Sequence, residues 1–451
     1  MAFSHKSYKG IMLFRAVLSV VVVHFMPLNL CAPTDFTNQS SFVLCGDNVL
    51  NFSHTIQGAL IEAIGNFGHS LLQKLNNDTN NIVISPLSVY SIMAMLTIGS
   101  QGSTRYQLEK ITRLHRLNWT TIVAAGDYLV NILDNYQSDF RLNLANRVYV
   151  TEDLIVPQLF LDSTTFGFGS KVVFMDFKKS DNVVAEMNHF VNLATRGKIK
   201  KIVDGHFTKD TTIAIVSAVF FEGAWRFPVM KFNEQIRFNA HCESPKNHAN
   251  WFKISGRMAY GNSSAADAYL LRVPYNTGIK SVTKAELLIA LPKSDSCNID
   301  RWLEKRRWID VMRAFHQTEM TSVELLMPKI NVEWVGDLRD SIKKLGILVA
   351  FEKTQANFSK MVQPASNVTT TPLTYLNRIF HRTSLSVSDL GTSGITANSR
   401  PRRDVTQASA IQFEVKSSFY LAVIVSELEE SKDQHAFKYM QVFAGLIKTL
   451  T

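Results

Sequence analysis

The hydrophobic positions near the start of the chain follow the period of a helix. Apolar side chains recur there at three- and four-residue steps, at Ile56, Leu60, Ile64, Phe67, Leu71 and Leu75. This spacing places them on one face and predicts an amphipathic helix. The next stretch, residues 81–104, opens with a short β-like run and places Pro86 directly after Ser85. Because proline suits the first turn of a helix, a second helix is predicted from Pro86 to Gly99.

Later segments have the composition of strands. Residues 211–225, TTIAIVSAVFFEGAW, form a continuous β-branched and aromatic run that is typical of a strand buried on both faces. Residues 337–347 predict a helix closed by a glycine. Further strands, some with a proline at an end or bulge, are predicted over 286–293, 323–334, 418–425 and 440–450. Helices dominate early and strands late, without βαβ alternation, so the predicted fold class is α+β.

Residues 389–412 form the longest connection in this pattern. The segment is polar and rich in Ser and Thr, and the basic cluster Arg400-Pro401-Arg402-Arg403 lies in its middle. It is far longer than most connections in a compact domain, and such loops are either functional or disordered. No internal repeat and no other linker interrupts the chain.

The composition limits the classes of function. The chain has 451 residues, 46% of them hydrophobic, which is enough for a large core. Its formal net charge is +10, but the charge is spread along the chain, which argues against a nucleic-acid partner. No Gly-x-Ser-x-Gly, His-Glu-x-x-His or phosphate-loop motif occurs, so catalysis is not expected. The four cysteines form no Cys/His cluster at metal spacing, and neither a metal nor a cofactor is expected.

One basic stretch, residues 108–119, could meet a polyanion. It carries Lys110, Arg113, His115 and Arg116 just after the second predicted helix. A solvated helix face explains the same residues, so both interpretations stay open.

The first residues have the features of a secretory signal. Three basic residues precede the apolar stretch 16–23, and cleavage is expected near Cys31 or Ala32. The stretch is far shorter than the ~20 residues that span a bilayer, so no membrane span is expected. Residues 1–31 are therefore assigned as a signal peptide and residues 32–54 as the polar tail of a secreted, extracellular protein. If Cys31 leaves with the signal, three cysteines remain, enough for one disulfide at most.

Seven Asn-x-Ser/Thr sequons agree with secretion. The candidate glycosylation sites are Asn38, Asn51, Asn77, Asn118, Asn262, Asn357 and Asn367. Each sequon alone is weak evidence, but their number favours a glycoprotein.

Five segments, taken in order, resemble the serpin family of protease inhibitors. They are ISPLSVYSIMAMLTIGSQGST (84–104), SAVFFEGAW (217–225), LLMPKINVEWVGDLRDSIKKLGILVAF (325–351), IFHRTSLSVSDLGTSG (379–394) and VFAGLIKTL (442–450). Each motif alone is modest, but five in the right order and at the right spacing are specific. The resemblance covers residues 55–451, nearly the whole chain after the tail.

The resemblance implies one α+β domain over residues 55–451, with three β-sheets, eight or nine helices and an exposed reactive-centre loop at about 389–412. It implies that this chain is a monomeric inhibitor and not itself an enzyme. Its partner would be a serine protease. In the family's mechanism, the protease cuts the loop and forms an acyl-enzyme, and the loop then enters the central sheet as a new strand and distorts the protease. The native state is held short of its most stable form, so its stability is kinetic.

By the resemblance, the entering segment starts with a hinge of seven residues: Gly391, Thr392, Ser393, Gly394, Ile395, Thr396 and Ala397. Every second side chain from Thr392 onward must fit under the sheet. The first three of these are small, but the next two are Asn398 and Arg400. A buried amide at Asn398 costs a few kcal/mol unless it is hydrogen-bonded. Arg400 fits only near the end of the sheet, and Pro401 cannot donate to a ladder.

The resemblance also places a switch region where the strands part. Its residues are Ser85, Ser88, Ser217, Trp225 and His381. Ser217 stands where the family usually has an asparagine, and its hydroxyl reaches less far towards the imidazole of His381. The same residues are also explained as ordinary polar core residues with satisfied hydrogen bonds.

The basic cluster is predicted to be a protease recognition site. Arg400, Arg402 and Arg403 match the Arg-x-Arg-Arg pattern that furin-like enzymes cut, which predicts cleavage at Arg403–Asp404. Guanidinium groups pair with the carboxylates of such proteases through bidentate, charge-assisted bonds. Counting from Gly391 by the usual family distance gives Val405–Thr406 instead, and counting back from Ser418 gives Gln407. A solvated loop tip that any trypsin-like enzyme can nick is the third interpretation.

Two functions therefore remain for this sequence. The first is a secreted inhibitor of trypsin-like or furin-like serine proteases, with Arg403 as the specificity residue. The second is a non-inhibitory secreted serpin, a binding or carrier protein whose loop is cut without trapping the protease. The second is favoured by Asp389-Leu390 in place of the usual acidic pair, and by Ile395, Asn398 and Ser217.

Overall fold

A computed structural model describes most of the chain after residue 53. The described residues are 54–75, 80–115, 117–134, 140–240, 246–248, 250–277, 283–294, 298–364, 373–389, 410–427 and 439–450. The signal segment, the four cysteines and most of the tail lie outside them. Within these ranges the fold is of the α+β class, as the sequence predicts.

Nine α-helices form within the described ranges. They are α1 (His54–Leu75), α2 (Pro86–Gly99), α3 (Gly102–Thr112), α4 (Trp119–Asp134), α5 (Gln158–Asp162), α6 (Ser180–Ala194), α7 (Ile299–Glu304), α8 (Trp308–His316) and α9 (Arg339–Lys344). A π-helical turn, Ser163–Gly167, follows α5, and a 3-10 turn spans Val349–Phe351.

The second predicted helix, α2, begins and ends where the sequence indicates. The Ser85 hydroxyl accepts from the Ser88 amide and so caps its first turn. All 14 residues of the helix are buried. A helix that is buried on every side lies inside the molecule, so α2 can pack against one face of a sheet.

Eighteen strands lie in the described ranges. They are β1 (Ile82–Ile84), β2 (Phe140–Thr151), β3 (Leu154–Ile155), β4 (Lys171–Met175), β5 (Ile213–Gly223), β6 (Val229–Phe232), β7 (Ile236–Phe238), β8 (Lys246–His248), β9 (Trp251–Ser263), β10 (Ala268–Pro274), β11 (Thr283–Pro292), β12 (Glu319–Pro328), β13 (Ile330–Asp337), β14 (Gln363–Pro364), β15 (Leu376–Val387), β16 (Ile411–Glu414), β17 (Phe419–Glu427) and β18 (Met440–Ile447).

These strands form three main sheets, as the resemblance implies. The first has five strands in the order β13-β15-β5-β2-β4. The second and third share the long strand β9, which pairs with β6 through Trp251–Ile254 and with β10 through Ala259–Ser263. The two sheets are therefore continuous and together contain nine strands. Eight are neighbours in the order β1-β18-β17-β11-β10-β9-β12-β16, and β6 pairs with β9 beside this path. Two-stranded ribbons, β3 with β14 and β7 with β8, complete the described strands.

The sequence predicts no βαβ alternation, but the structure contains one such unit. Strands β2 and β4 are parallel neighbours, and the chain passes from one to the other through α5 and the π-helical turn. Each of these helical pieces has only five residues, which is too short to show a helical period in the sequence.

Strand β5 has the double burial that its composition predicts. Its alternating residues Ala214, Val216 and Ala218 belong to a core cluster with residues of α6. On the opposite face, Ser217 contacts Ser88 of α2. The five-stranded sheet is therefore covered by α6 on one side and by α2 on the other.

Within the described residues, no helix has the length and apolar character needed to cross a membrane. The same residues contain no group of histidine, cysteine and acidic side chains that could hold a metal ion.

Candidate functional site

The predicted reactive-centre loop leaves and rejoins the described structure at two points. The chain leaves the five-stranded sheet after β15, at Ser388 and Asp389, and returns at Ala410 just before β16. Strand β16 then pairs in parallel with β12. The predicted hinge 391–397, the basic cluster 400–403 and both candidate scissile bonds, Arg403–Asp404 and Val405–Thr406, lie outside the described residues.

The central strand of the five-stranded sheet, β5, is parallel to its neighbour β15 and directly paired with it. Strand β15 runs alongside β5 from Leu376 to Ser386, and this ladder is called the seam. In its register, His381 lies opposite Ser217 and Leu385 opposite Phe221. Because side chains alternate between faces, odd-numbered residues of β15 point towards α2 and even-numbered ones towards α6.

The structure brings four of the five predicted switch residues together beneath the seam. His381 Nδ1 lies 2.9 Å from Ser217 Oγ, and Ser217 Oγ lies 2.8 Å from Ser88 Oγ. The Ser85 amide donates to His381 Nε2 at 3.1 Å. All four residues have a relative exposure of 0%. Ser217 therefore reaches the imidazole directly, despite being shorter than asparagine.

A fifth member, Asn146 of β2, was not predicted. Ser88 Oγ donates to Asn146 Oδ1 at 2.8 Å, and Asn146 Nδ2 donates to the Ser88 carbonyl at 3.3 Å. The surrounding sequence, LNLANRVYV, mixes polar and apolar residues without a regular period. No local signal marks Asn146, because its role depends on pairing between β2 and β5.

The proton positions in this network follow from the donors. Ser85 donates to Nε2, so the neutral imidazole of His381 carries its proton on Nδ1 and donates to Ser217. Ser217 then donates to Ser88, whose own proton goes to Asn146. The bond from His381 to Ser217 joins β15 to β5, so it must break when these strands separate.

Burial fixes the charge state of His381. Desolvation lowers its pKa from the ordinary value of 6.5 to about 3. A second proton on Nε2 would also point at the N–H of Ser85, which leaves that donor unpaired. His381 is therefore neutral at physiological pH.

Acidification is expected to destabilise the fold through this residue. The unfolded chain, with a histidine pKa near 6.5, binds the proton more readily than the folded protein, in which the pKa is about 3. The contribution to stability is complete above pH 6.5 and is lost as the pH falls towards 3, by about 1.4 kcal/mol per pH unit.

Urea unfolding between pH 7.5 and pH 5 measures this slope, which His381→Gln should reduce. Burial also lowers the pKa of His69, so His69→Gln is the matched variant. Equal slopes in wild type and His381→Gln would contradict the assignment.

Trp225 lies apart from the other switch residues. It follows β5 at the hinge end of the seam, stacks on Tyr275 with ring centroids 4.5 Å apart, and donates from Nε1 to the Ser388 carbonyl at 2.9 Å. Eight residues of extended strand separate it from Ser217, or about 26 Å. Trp225 thus fixes the exit of the loop.

Asp389 anchors the same exit electrostatically. Its side chain is 2% exposed, and its Oδ1 lies 2.9 Å from Lys329 Nζ. Its other oxygen lies 4.0 Å from Lys231 Nζ on β6. Asp389 therefore retains a buried ion pair although Leu390 replaces the second acid of the family pattern. The lysines come from segments 60 and more residues away, so a single sequence does not reveal the pairing.

The basic stretch 108–119 does not form one helix face. Lys110 lies in the last turn of α3, whereas Arg113 follows the helix in a left-handed conformation with φ 59°. Arg113 Nη1 donates to Glu62 Oε1 at 2.8 Å. His115 is exposed beyond the helix end, and Arg116 lies outside the described residues.

Three sequons lie in the described structure. Asn118 and Asn262 are exposed, and the Asn118 side chain accepts from the Thr121 amide at 2.9 Å. Asn357 is half-buried, and its side-chain oxygen accepts from Ser359 Oγ at 2.8 Å. The candidate sites Asn38, Asn51, Asn77 and Asn367 lie outside the described residues.

Comparison with known proteins agrees with this arrangement. Residues 62–430 match the family model described as Serpin (serine protease inhibitor), and the chain belongs to the serpin family. It is 26% identical over 330 residues to a serpin-like protein of Methanosarcina mazei, covering 72% of this chain and 73% of that protein. It is 26% identical over 342 residues to alpha-1-antiproteinase of Rattus norvegicus, covering 74% of this chain and 78% of that protein.

A solved structure shows the same fold. The crystal structure of tengpin, a thermophilic serpin, in its native state matches with a TM-score of 0.73. The match covers 90% of this chain and 96% of that chain at 18% identity. The predicted α+β serpin fold is confirmed.

Proposed function

We propose that the protein is a secreted inhibitor of basic-specific serine proteases, trypsin-like or furin-like, that acts by loop cleavage and strand insertion. The supporting observation is the parallel pairing of β5 and β15, with the loop leaving at the end of the seam. A segment that turns back after Asp389 runs antiparallel to both neighbours. It can then hydrogen-bond to each of them, as strand addition requires.

The polar network beneath the seam supports this mechanism. Between the described faces of β5 and β15, His381 and Ser217 form a single side-chain bond across the strands. Their other partners, Ser85, Ser88 and Asn146, lie on one side of the sheet. Separation of the strands breaks this bond. Because Ser85 and Ser88 both lie at the start of α2, it also breaks the contact of one of them, either Ser85 with His381 or Ser88 with Ser217. Opening of the seam therefore has to break a small, defined set of polar contacts at this point.

The basic cluster supplies the specificity in this proposal. Arg403 is the residue before the scissile bond, and Arg400 and Arg402 add contacts to acidic subsites. The alternative bond, Val405–Thr406, is distinguished by the new N-terminus of the released fragment, which starts with Asp404 or with Thr406.

Incubation with trypsin or furin followed by a denaturing gel tests the proposal. A covalent, heat-stable band of high mass is expected, and N-terminal sequencing of the released fragment identifies the bond. Arg403→Ser should abolish the band with furin, whereas the band should persist in a Val405→Ala variant. Complete cleavage that leaves free, active protease would contradict inhibition and support the binding or carrier function instead.

Secretion and glycosylation complete the proposal. Expression in secretory cells is expected to give a product that starts near residue 32 and loses mass on removal of N-linked glycans. Asn118→Gln and Asn262→Gln should each remove one glycan, because both asparagines are exposed. An intracellular product with an intact first residue would contradict secretion.

A further inference from the structure

One exposed aromatic ring lies beside a predicted glycosylation site. Tyr269 of β10 is 42% exposed, and Asn262 of β9 lies directly opposite it in the antiparallel ladder. Directly opposite residues point to the same face of a sheet, with their Cβ atoms about 4.5–5.5 Å apart. On its other side, Tyr269 lies opposite Leu291 of β11, which is buried. Tyr269 thus has an apolar neighbour on one side and the exposed Asn262 on the other.

The turn after β9 keeps the sequon Asn262-Ser263-Ser264 at the surface. Asn262 and Ser264 are both exposed. The chain turns back at Asp267, whose φ is 48° and whose amide donates to the Ser264 carbonyl at 3.2 Å. The Asn262 side chain can consequently carry a glycan in the folded protein.

A cation borders the same ring. The ammonium group of Lys293, which follows β11, lies 5.1 Å from the centre of the Tyr269 ring. It donates to the Ser263 carbonyl, inside the sequon, at 3.1 Å. An ammonium group has three donors, and this bond uses one of them. Lys293 therefore lies next to both the ring and the sequon and can donate to a further acceptor.

These two side chains match the chemistry of the first sugar of an N-linked glycan, N-acetylglucosamine. One face of its ring presents C–H groups, and its N-acetyl group presents a carbonyl oxygen. The face of an aromatic ring carries partial negative charge and attracts C–H groups. A sugar on the Asn262 amide nitrogen starts a few bonds from its Cβ atom, as does the ring of Tyr269. The sugar can therefore lie alongside the phenol ring.

We propose that the glycan of Asn262 is docked on the sheet: its first N-acetylglucosamine stacks on the ring of Tyr269, and the N-acetyl carbonyl accepts from Lys293. This inference rests on the glycosylation proposed above. The stacked sugar covers an aromatic ring that is otherwise exposed. It thereby stabilises the β9–β10 hairpin and fixes the direction in which the rest of the glycan leaves the protein.

Nitration of tyrosines by tetranitromethane tests the contact in the full-length protein. Three forms are compared: the protein with high-mannose glycans, the same protein trimmed by endoglycosidase H to a single N-acetylglucosamine, and Asn262→Gln. Nitration of Tyr269, mapped by mass spectrometry, should be slow in the first two forms. In Asn262→Gln it should be faster by roughly five-fold, as for the loss of one aromatic stacking contact. Tyr106 on α3 is 67% exposed and should react equally in all three forms.

Urea unfolding provides a second readout. Asn262→Gln should raise the equilibrium constant of unfolding by roughly five-fold in wild type and in Tyr269→Phe, which keeps the aromatic ring. The same change should have no effect in Tyr269→Thr, which suits a strand but has no ring. Asn118→Gln is the matched control, because it removes a glycan at the start of α4 and should have the same effect in all three backgrounds.

The outcomes separate the docked sugar from the glycosylation on which it depends. Equal nitration of Tyr269 in all three forms, with Asn262 shown to be occupied by the mass of its peptide, would mean that the glycan is present but not docked. Protection that disappears on trimming would assign the cover to the outer sugars and overturn the contact with the first one. An unoccupied Asn262 would overturn both the glycosylation of this site and the docking. Protection that survives trimming, together with a stabilising effect that requires the ring at position 269, supports both.

Discussion

Thr392→Arg is expected to convert the protein from an inhibitor into a substrate. In the proposed inserted state, Thr392 is the first side chain that faces inward, at the hinge end of the seam. The inward residues there, Leu385 and Phe221, have a relative exposure of 0%. An unpaired guanidinium group in such surroundings costs several kcal/mol, so insertion stalls and the acyl-enzyme hydrolyses. The ratio of inhibitor to protease needed for full inhibition should rise by roughly ten-fold or more, since each 1.4 kcal/mol is a factor of ten in rate.

Ser393→Arg is the matched control for this prediction. Its side chain is expected to face the opposite side of the sheet, where Ser386 and Glu222 are only half-buried. The new guanidinium group can reach water and a carboxylate there, so the covalent complex should still form. A denaturing gel and an assay of residual protease activity measure both variants. Unimpaired inhibition by Thr392→Arg would exclude insertion of this residue.

Asp300→Ala is expected to lower the free energy of unfolding by about 3–5 kcal/mol, the usual cost of removing one partner from a buried ion pair. Lys448, just after β18, has a side chain that is 0% exposed, and its Nζ lies 2.9 Å from Asp300 Oδ1 in the first turn of α7. Without the carboxylate, the buried ammonium loses this ion pair.

Lys448→Met provides the contrast, because an apolar side chain of similar length removes the charge together with its desolvation cost. Its stability should lie between those of wild type and Asp300→Ala, because the remaining Asp300 carboxylate is 21% exposed and can be hydrated. The double variant should recover most of the loss caused by Asp300→Ala. Urea unfolding followed by tryptophan fluorescence measures all three. A double variant as unstable as Asp300→Ala would show that Asp300 acts through contacts other than Lys448.

The elements that the sequence predicts correctly are those whose determinants are local. Ser85 and Pro86 mark the start of α2, and Gly346, with φ 107°, ends the last helix as predicted. The continuous apolar run of β5 indicates burial on both faces, which the structure confirms. Each of these signals lies within a few neighbouring residues and needs no knowledge of the fold.

The parts that the sequence does not reveal depend on contacts between distant segments. Asn146 joins the switch network only because β2 pairs with β5, and Lys329 meets Asp389 only at the end of β13. Trp225 belongs to a family motif together with Ser217, but an extended strand carries Trp225 to one end of the seam while Ser217 lies near its middle. The sequence motifs indicate which residues belong to the site, whereas the pairing of the strands determines which of them are in contact.

The position of β18 has a consequence for how the protein is made. This strand, with all eight residues buried, lies between β1 and β17, so Ile82 pairs with Leu446 across most of the chain. The nine-stranded sheet cannot close until β18 has left the ribosome. Folding of this sheet must therefore wait until residue 447 has been made and released, and such non-local pairing makes folding slow. A stop codon just before β18 removes the strand from the middle of the core and leaves nascent chains for chaperones and proteases to clear.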